Sequence, residues 1–115
     1  MSQKHFVVMG AGEVGSYLAR LLSQQGDNVT VIELDPVRRL RIEEELDVSA
    51  VAGNGAHPPV LEAAGAANCE RFLAVSSSDE ANLVAAKIAK HMGAARTVVR
   101  VAIAEEVITE RRMFE

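Results

Sequence analysis

Short apolar runs alternate with longer stretches of helical spacing along the whole chain. His5–Met9, Val29–Ile32, Val48–Ala52, Arg71–Val75 and Thr97–Val101 are brief, rich in β-formers and bounded by turn residues, which predicts five strands. Between the first two, Ser16–Gln25 carries Leu18, Leu21 and Leu22 at the spacing of a helix that lays one face on a sheet. Asp35 and Pro36 form an N-cap and first-turn pair, opening a helix that runs through Val37, Leu40 and Ile42 to about Leu46. Val60–Ala64 reads as a short helix with Leu61 facing the core and Gly65 ending it. Glu80–Met92 is a helix capped by Ser78 or Asp79 and stopped at Gly93. Its Ala81, Leu83, Val84, Ala85, Ala86, Ile88, Ala89 and Met92 cover more than one stripe, so part of a second face is expected to be buried as well.

The chemistry sits where the first strand ends. Gly10-Ala11-Gly12-Glu13-Val14-Gly15 completes G-x-G-x-x-G between a strand and a helix, and Glu33 follows 21 positions beyond Gly12. In that context Gly10 makes a tight turn, Gly12 lets the backbone approach a pyrophosphate, and Gly15 lets helix and strand pack closely. The helix N-terminus offers N–H groups and roughly half a positive charge to phosphates. Glu33 can accept both ribose hydroxyls of an adenosine and would repel a 2′-phosphate, which favours NAD(H) or adenosine nucleotides over NADP(H). The alternation of strand and helix predicts an α/β fold: a Rossmann-like doubly wound parallel sheet of five to six strands, order 3-2-1-4-5, in a single domain over residues 1–103. Residues 104–115 read as a C-terminal helix that crosses over or packs in a dimer. Together with the broadly apolar helix before it, that tail suggests a homodimer or larger homo-oligomer.

Composition narrows the function classes. The chain has 115 residues, enough for one domain with a real core, and a net charge of −4, which argues against nucleic acid as a partner. No apolar run approaches the roughly 18 residues of a membrane span, and no signal-peptide core follows the first residues. Cys69 is the lone cysteine, so no disulfide framework is expected and the reducing cytosol is the default compartment. His57 has no second histidine or cysteine at metal-ligand spacing, so no metal site is expected.

Other rim candidates come from the remaining strand ends. Gly53-Asn54-Gly55 follows the third strand, where Asn54 either reads an adenine edge or simply turns the chain. Ser76-Ser77-Ser78 follows the fourth, and both ligand contact and helix capping suit it. None of these serines sits in a nucleophile elbow, so no catalytic residue is expected. Arg100 interrupts the fifth strand near its end, where it either meets phosphates or makes a salt bridge. Arg38, in the mixed-charge run after Pro36, lies on a solvated face or close to an adenosine.

Three segments carry a family resemblance. They are the glycine loop with Val31-Ile32-Glu33-Leu34-Asp35, then Gly53-Asn54-Gly55-Ala56-His57-Pro58 with Val60-Leu61-Glu62-Ala63-Ala64-Gly65, and Ala74-Val75-Ser76-Ser77-Ser78-Asp79-Glu80-Ala81-Asn82-Leu83-Val84-Ala85. From about Phe6 to Val101 the chain resembles the nucleotide-binding domain of bacterial potassium-uptake regulators, the TrkA N-terminal or RCK (KTN) family. The resemblance implies a cytoplasmic regulator, peripheral at the membrane's inner face, that binds NAD(H), with ATP/ADP or AMP as alternatives, and sits on a potassium-transporting membrane protein. It implies a site made of Gly10, Ala11, Gly12, Glu13, Val14 and Gly15 around the phosphates and Glu33, with Leu34 and Asp35, at a ribose. Asn54 and Gly55 would stand at the adenosine, and Ser76, Ser77 and Arg100 would complete the pocket. The chain departs from the family at Asn54, often an acid, and at Glu13, an arginine in some relatives, which leans towards NAD(H). The competing class is a cofactor-binding fragment of an NAD-dependent oxidoreductase, for which His57 is the one loop histidine to consider.

Overall fold

The computed structural model describes residues 3–102. The elements alternate as β1 (His5–Met9), α1 (Glu13–Gln24), β2 (Asn28–Glu33), α2 (Pro36–Glu45), β3 (Ser49–Ala52), α3 (Pro58–Ala63), β4 (Arg71–Ala74), α4 (Asp79–Met92) and β5 (Arg96–Val99), with a short 3₁₀ turn over Ala66–Asn68 before β4. All five strands are parallel in the order β3-β2-β1-β4-β5, the expected Rossmann-like arrangement. β1 is central: Met9 lies opposite Ile32 of β2 on one side and Ala74 of β4 on the other. The strand order reverses between β1 and β4, so the crevice beyond their C-terminal ends is where ligands bind in such sheets. The tail at 104–115 lies outside the described residues.

Burial on both faces explains why the strands read as continuous apolar runs rather than alternating ones. Val7, Met9, Ile32, Phe72 and Ala74 face α3 and α4, meeting Leu61, Ala85 and Ala89. Val8, Val29, Val31, Leu73 and Val75 face α1 and α2, meeting Ala19 and Ile42. The seams on the helices are small residues, and this corrects the periodicity reading. On α1 the buried residues are Gly15 and Ala19, with Leu18 and Leu22 partly covered, while Leu21 is exposed. On α2 only Ile42 is buried; Val37 and Leu40 face solvent. On α4 the sheet-facing stripe is Asn82, Ala85, Ala86 and Ala89, and the surplus apolar residues Leu83 and Val84 stay half exposed. Small side chains let a helix axis approach a sheet closely, and larger apolar neighbours are then left outside the contact.

Two helices, α1 and α3, start three and two residues earlier than the spacing predicts. Helix α1 begins at Glu13, within the glycine loop, because Gly12 is its N-cap and its carbonyl already accepts from Ser16 N–H at 2.9 Å. Pro58 and Pro59 are the first residues of α3 rather than part of a turn, since a proline's missing N–H costs nothing there. Asp35 caps α2 through Val37 N–H at 3.1 Å, and Ser78 caps α4 through Ala81 N–H at 3.2 Å. β5 ends at Val99, so Arg100 lies just past the strand rather than inside it.

No helix among the described residues is long and apolar enough to cross a membrane. Nor is there, among them, a group of three or more His, Cys, Asp or Glu side chains that could hold a metal ion. Cys69 is buried, donates to Ala66 O at 3.2 Å, and burial pushes its thiol from 9.0 up to about 11. Two outcomes follow. The folded chain should resist alkylation by iodoacetamide at pH 8. Between pH 9 and 11 the unfolded chain releases the thiol proton while the folded chain keeps it, so stability falls as pH rises through that window. Denaturant melts of the native chain and Cys69→Ala should diverge there by up to about 1.4 kcal/mol per pH unit.

Candidate functional site

At the sheet's C-terminal edge the turns after β1, β2, β3, β4 and β5 surround one cavity of about 560 Å³. Of the residues singled out from sequence, Gly10, Gly12, Glu13, Val14, Glu33, Leu34, Asp35, Asn54, Gly55, Ser76, Ser77 and Arg100 line it. Ala11 and Gly15 do not, and their roles are structural. Ala11 N–H donates to Glu33 Oε1 at 2.6 Å. A Cβ on Gly15 would stand 1.7 Å from Gly10 O, so α1 can pack on the loop only without one. Gly10, at φ +107°, presses on Ser76: a Cβ there would come within 2.8 Å of Ser76 Cα.

Gly12 differs from both. The nearest atom to a Cβ on it is Arg38 Nη1 at 3.8 Å, so the space beside its backbone is open. As N-cap of α1 it has no side chain to bond the first-turn N–H groups, which leaves a positive helix end facing the cavity. An open cradle at a bare helix N-terminus fits a phosphate.

Glu33 is buried at 8% exposure, and both its oxygens are engaged with backbone: Oε1 with Ala11 N–H and Oε2 with Asp35 N–H at 2.8 Å. The carboxylate thus ties the β1 turn to the β2 turn. Each oxygen keeps a further lone pair for a ribose hydroxyl. Asn54 turns the chain by accepting Ala56 N–H at 2.9 Å, and it lines the cavity as well. Opposite, Ser76 and Ser77 form the β4 rim. Arg100 closes it, its N–H donating to Ala74 O at 2.9 Å.

Sequence reading left two contributors outside the site. Arg38 is half exposed to solvent and also lines the cavity; its Nε lies 3.9 Å from Asp35 Oδ2, and Arg39 Nη1 donates to Glu33 O at 3.2 Å. Their spacing after the Asp35-Pro36 helix start places both on the first turns of α2, and of the two it is Arg38 that lines the cavity. Asn82 is fully buried and bonds Ser76. The signal available for it was a carboxamide on an otherwise apolar helix face. His57 caps α3 from an exposed position and is not part of the cavity wall. A second hollow of about 520 Å³ opens between α1 and α2, sharing Gly12, Glu13 and Arg38 with the first.

The TrkA-N domain model matches residues 6–113. A Trk system potassium uptake protein TrkA homolog of Archaeoglobus fulgidus is 46% identical over 95 residues, covering 83% of this chain and 21% of that protein. The chain is similarly 32% identical over 108 residues to the Trk system potassium uptake protein TrkA of Halomonas elongata, covering 94% of this chain and 24% of the relative. It thus spans about a quarter or less of the length of these relatives. Among solved structures, the GsuK channel bound to NAD superposes with a TM-score of 0.73 at 19% identity, over 94% of this chain and 20% of that one. The Kef C-terminal domain of Shewanella denitrificans in AMP-bound form superposes with a TM-score of 0.68 at 22% identity, over 82% of this chain and 56% of that one. These superpositions establish the fold.

The two glycines give opposite expectations for stability. Gly15→Ala should lose about 3 kcal/mol or more in denaturant melts, since neither the Gly10 carbonyl nor the helix can give way. Gly12→Ala should lose at most about 1 kcal/mol, the difference between glycine and alanine at an N-cap.

Proposed function

The chain belongs to the TrkA-N domain family, and from that premise we propose that it is a regulatory nucleotide-binding domain. Its ligand is an adenosine nucleotide in the β1/β4 crevice, NAD(H) first, with ATP/ADP or AMP as alternatives. The partner it regulates is a potassium-transporting membrane protein, at whose inner face it sits as a cytoplasmic, peripheral component. One observation carries the ligand half of this reading: a single cavity gathers the open Gly12 cradle, the Glu33 carboxylate and the Ser76–Ser77 rim. The Gly12 cradle suits a pyrophosphate, and Glu33 suits the ribose of the adenosine half. Arg38 and Arg100 both line the cavity and serve as cations for the phosphates.

The partner half rests on the names of relatives, which are Trk system potassium uptake proteins, and on nucleotide-bound structures of a channel and a Kef domain with this fold. In the same reading the chain associates with a second copy, for which Leu83 and Val84, adjacent and half exposed on α4, are the candidate contact. The oxidoreductase reading finds less support. Hydride transfer needs a proton-transferring group beside the substrate, and His57 stands outside the cavity wall.

Calorimetric titration of NADH, NAD, ATP, ADP and AMP into the chain tests the ligand. At least one should bind, and Gly12→Ala should reduce its affinity by tenfold or more because the added methyl occupies the phosphate cradle. Gly12→Ala is the better control than Glu33→Ala, which would also release Ala11 and Asp35 and cost about 1.5–3 kcal/mol for each charged hydrogen bond. Absence of binding by the native chain, or equal binding by Gly12→Ala, would contradict the reading.

A further inference from the structure

The Asn82 side chain fills every hydrogen-bonding position it has. Oδ1 accepts from Ser76 N–H at 3.0 Å and from Ser76 Oγ–H at 2.6 Å. Nδ2 donates to Ser76 O at 3.0 Å and to Arg100 O at 3.1 Å. The orientation is fixed by these partners, because a flipped amide would set its oxygen against two carbonyls and its NH₂ against a backbone N–H. One turn earlier on the same helix, Asp79 Oδ1 accepts Ala102 N–H at 3.1 Å. Helix α4 therefore grips two places with one pair of side chains: the ligand-facing turn after β4, and residues 100–102, where the chain leaves β5.

We propose that Asn82 is the positioning residue that couples the nucleotide cavity to the exit of β5, so that a ligand seated against Ser76 and Ser77 acts on the chain at residues 100–102. This rests on the nucleotide reading of the cavity. The physical reason is that a buried carboxamide cannot turn to follow Ser76 without dropping Arg100, and each broken bond leaves a buried polar group without a partner. The turn and the exit therefore move as one unit. A ligand that prefers one arrangement of the Ser76 turn shifts the exit by its difference in affinity between the two arrangements.

Amide hydrogen exchange read residue by residue by NMR tests this, with NADH as the probe ligand. In the free protein, Asn82→Ala should speed exchange roughly tenfold at Ser76, whose N–H loses its acceptor, and roughly threefold at Arg100, whose own bond to Ala74 O loosens once its carbonyl is released, while β1 and β2 amides keep their rates. Asn82→Asp keeps the acceptor and loses the donor, so Ser76 should stay slow while Arg100 speeds up. Ser76→Ala removes only one hydroxyl and leaves the core intact. It should still raise exchange at Arg100 roughly threefold, and it carries the test should both Asn82 variants fail to fold. Saturating NADH should slow Ser77 and Ala102 in the native chain, and in Asn82→Asp should slow Ser77 but not Ala102; Arg100 lines the cavity and is left out of this comparison. Native rates at Arg100 in the folded variants, or NADH protection of Ala102 that survives Asn82→Asp, would overturn the coupling. If NADH leaves Ser77 unaffected in the native chain, the NAD(H) reading fails, and NADH's action on the exit falls with it.

Discussion

The glycine loop at the C-terminal edge of this sheet depends on one buried carboxylate. Glu33 ends β2 and accepts backbone N–H groups from Ala11 and Asp35, 2.6 and 2.8 Å away. Charge-assisted bonds of this kind to buried N–H groups are among the stronger polar interactions in a protein. They hold the glycine loop against the β2 turn before any ligand arrives. A loop so held does not have to be ordered on binding, which removes part of the cost of association. The same carboxylate therefore shapes the cavity and lines it.

The other half of the crevice is organised by a neutral group in an equivalent place. Asn82 does for the β4 and β5 turns what Glu33 does for those of β1 and β2, from the opposite face of the sheet. The two halves meet where Gly10 presses on Ser76, at a distance that admits no side chain. Small residues on the helices, Gly15 and Ala19 on α1 and Ala85 and Ala89 on α4, bring the helix backbones close enough for these contacts. Packing and site geometry are one design, and changes to either are felt in the other.

The strand order was legible because five apolar runs separated by helical stretches admit few right-handed parallel arrangements. The glycine loop was legible because strand, glycines, helix and acid occur at one spacing that serves a physical purpose. Less was readable where packing chooses among similar residues. Leu21, Val37 and Leu40 have the spacing of core positions, yet Ala19 and Ile42 take the contact because small or central residues fit the gap between helix and sheet. Glu33 was readable as an acid at a strand end, but its hold on Ala11 and Asp35 depends on how closely two turns approach. Asn82 stood in view within a family-like segment, and its task depends on Ser76 and Arg100, six positions before and 18 positions after it in sequence.

The most direct test of a nucleotide in this crevice is an NMR titration of the isotopically labelled chain with NADH, following backbone amides. The cavity predicts shifts concentrated at Glu13, Val14, Leu34, Asn54, Ser76, Ser77 and Arg100, saturating together with one affinity. Shifts confined to Tyr17, Arg20 and Arg41 in the hollow between α1 and α2, or no shifts at saturating ligand, would contradict it.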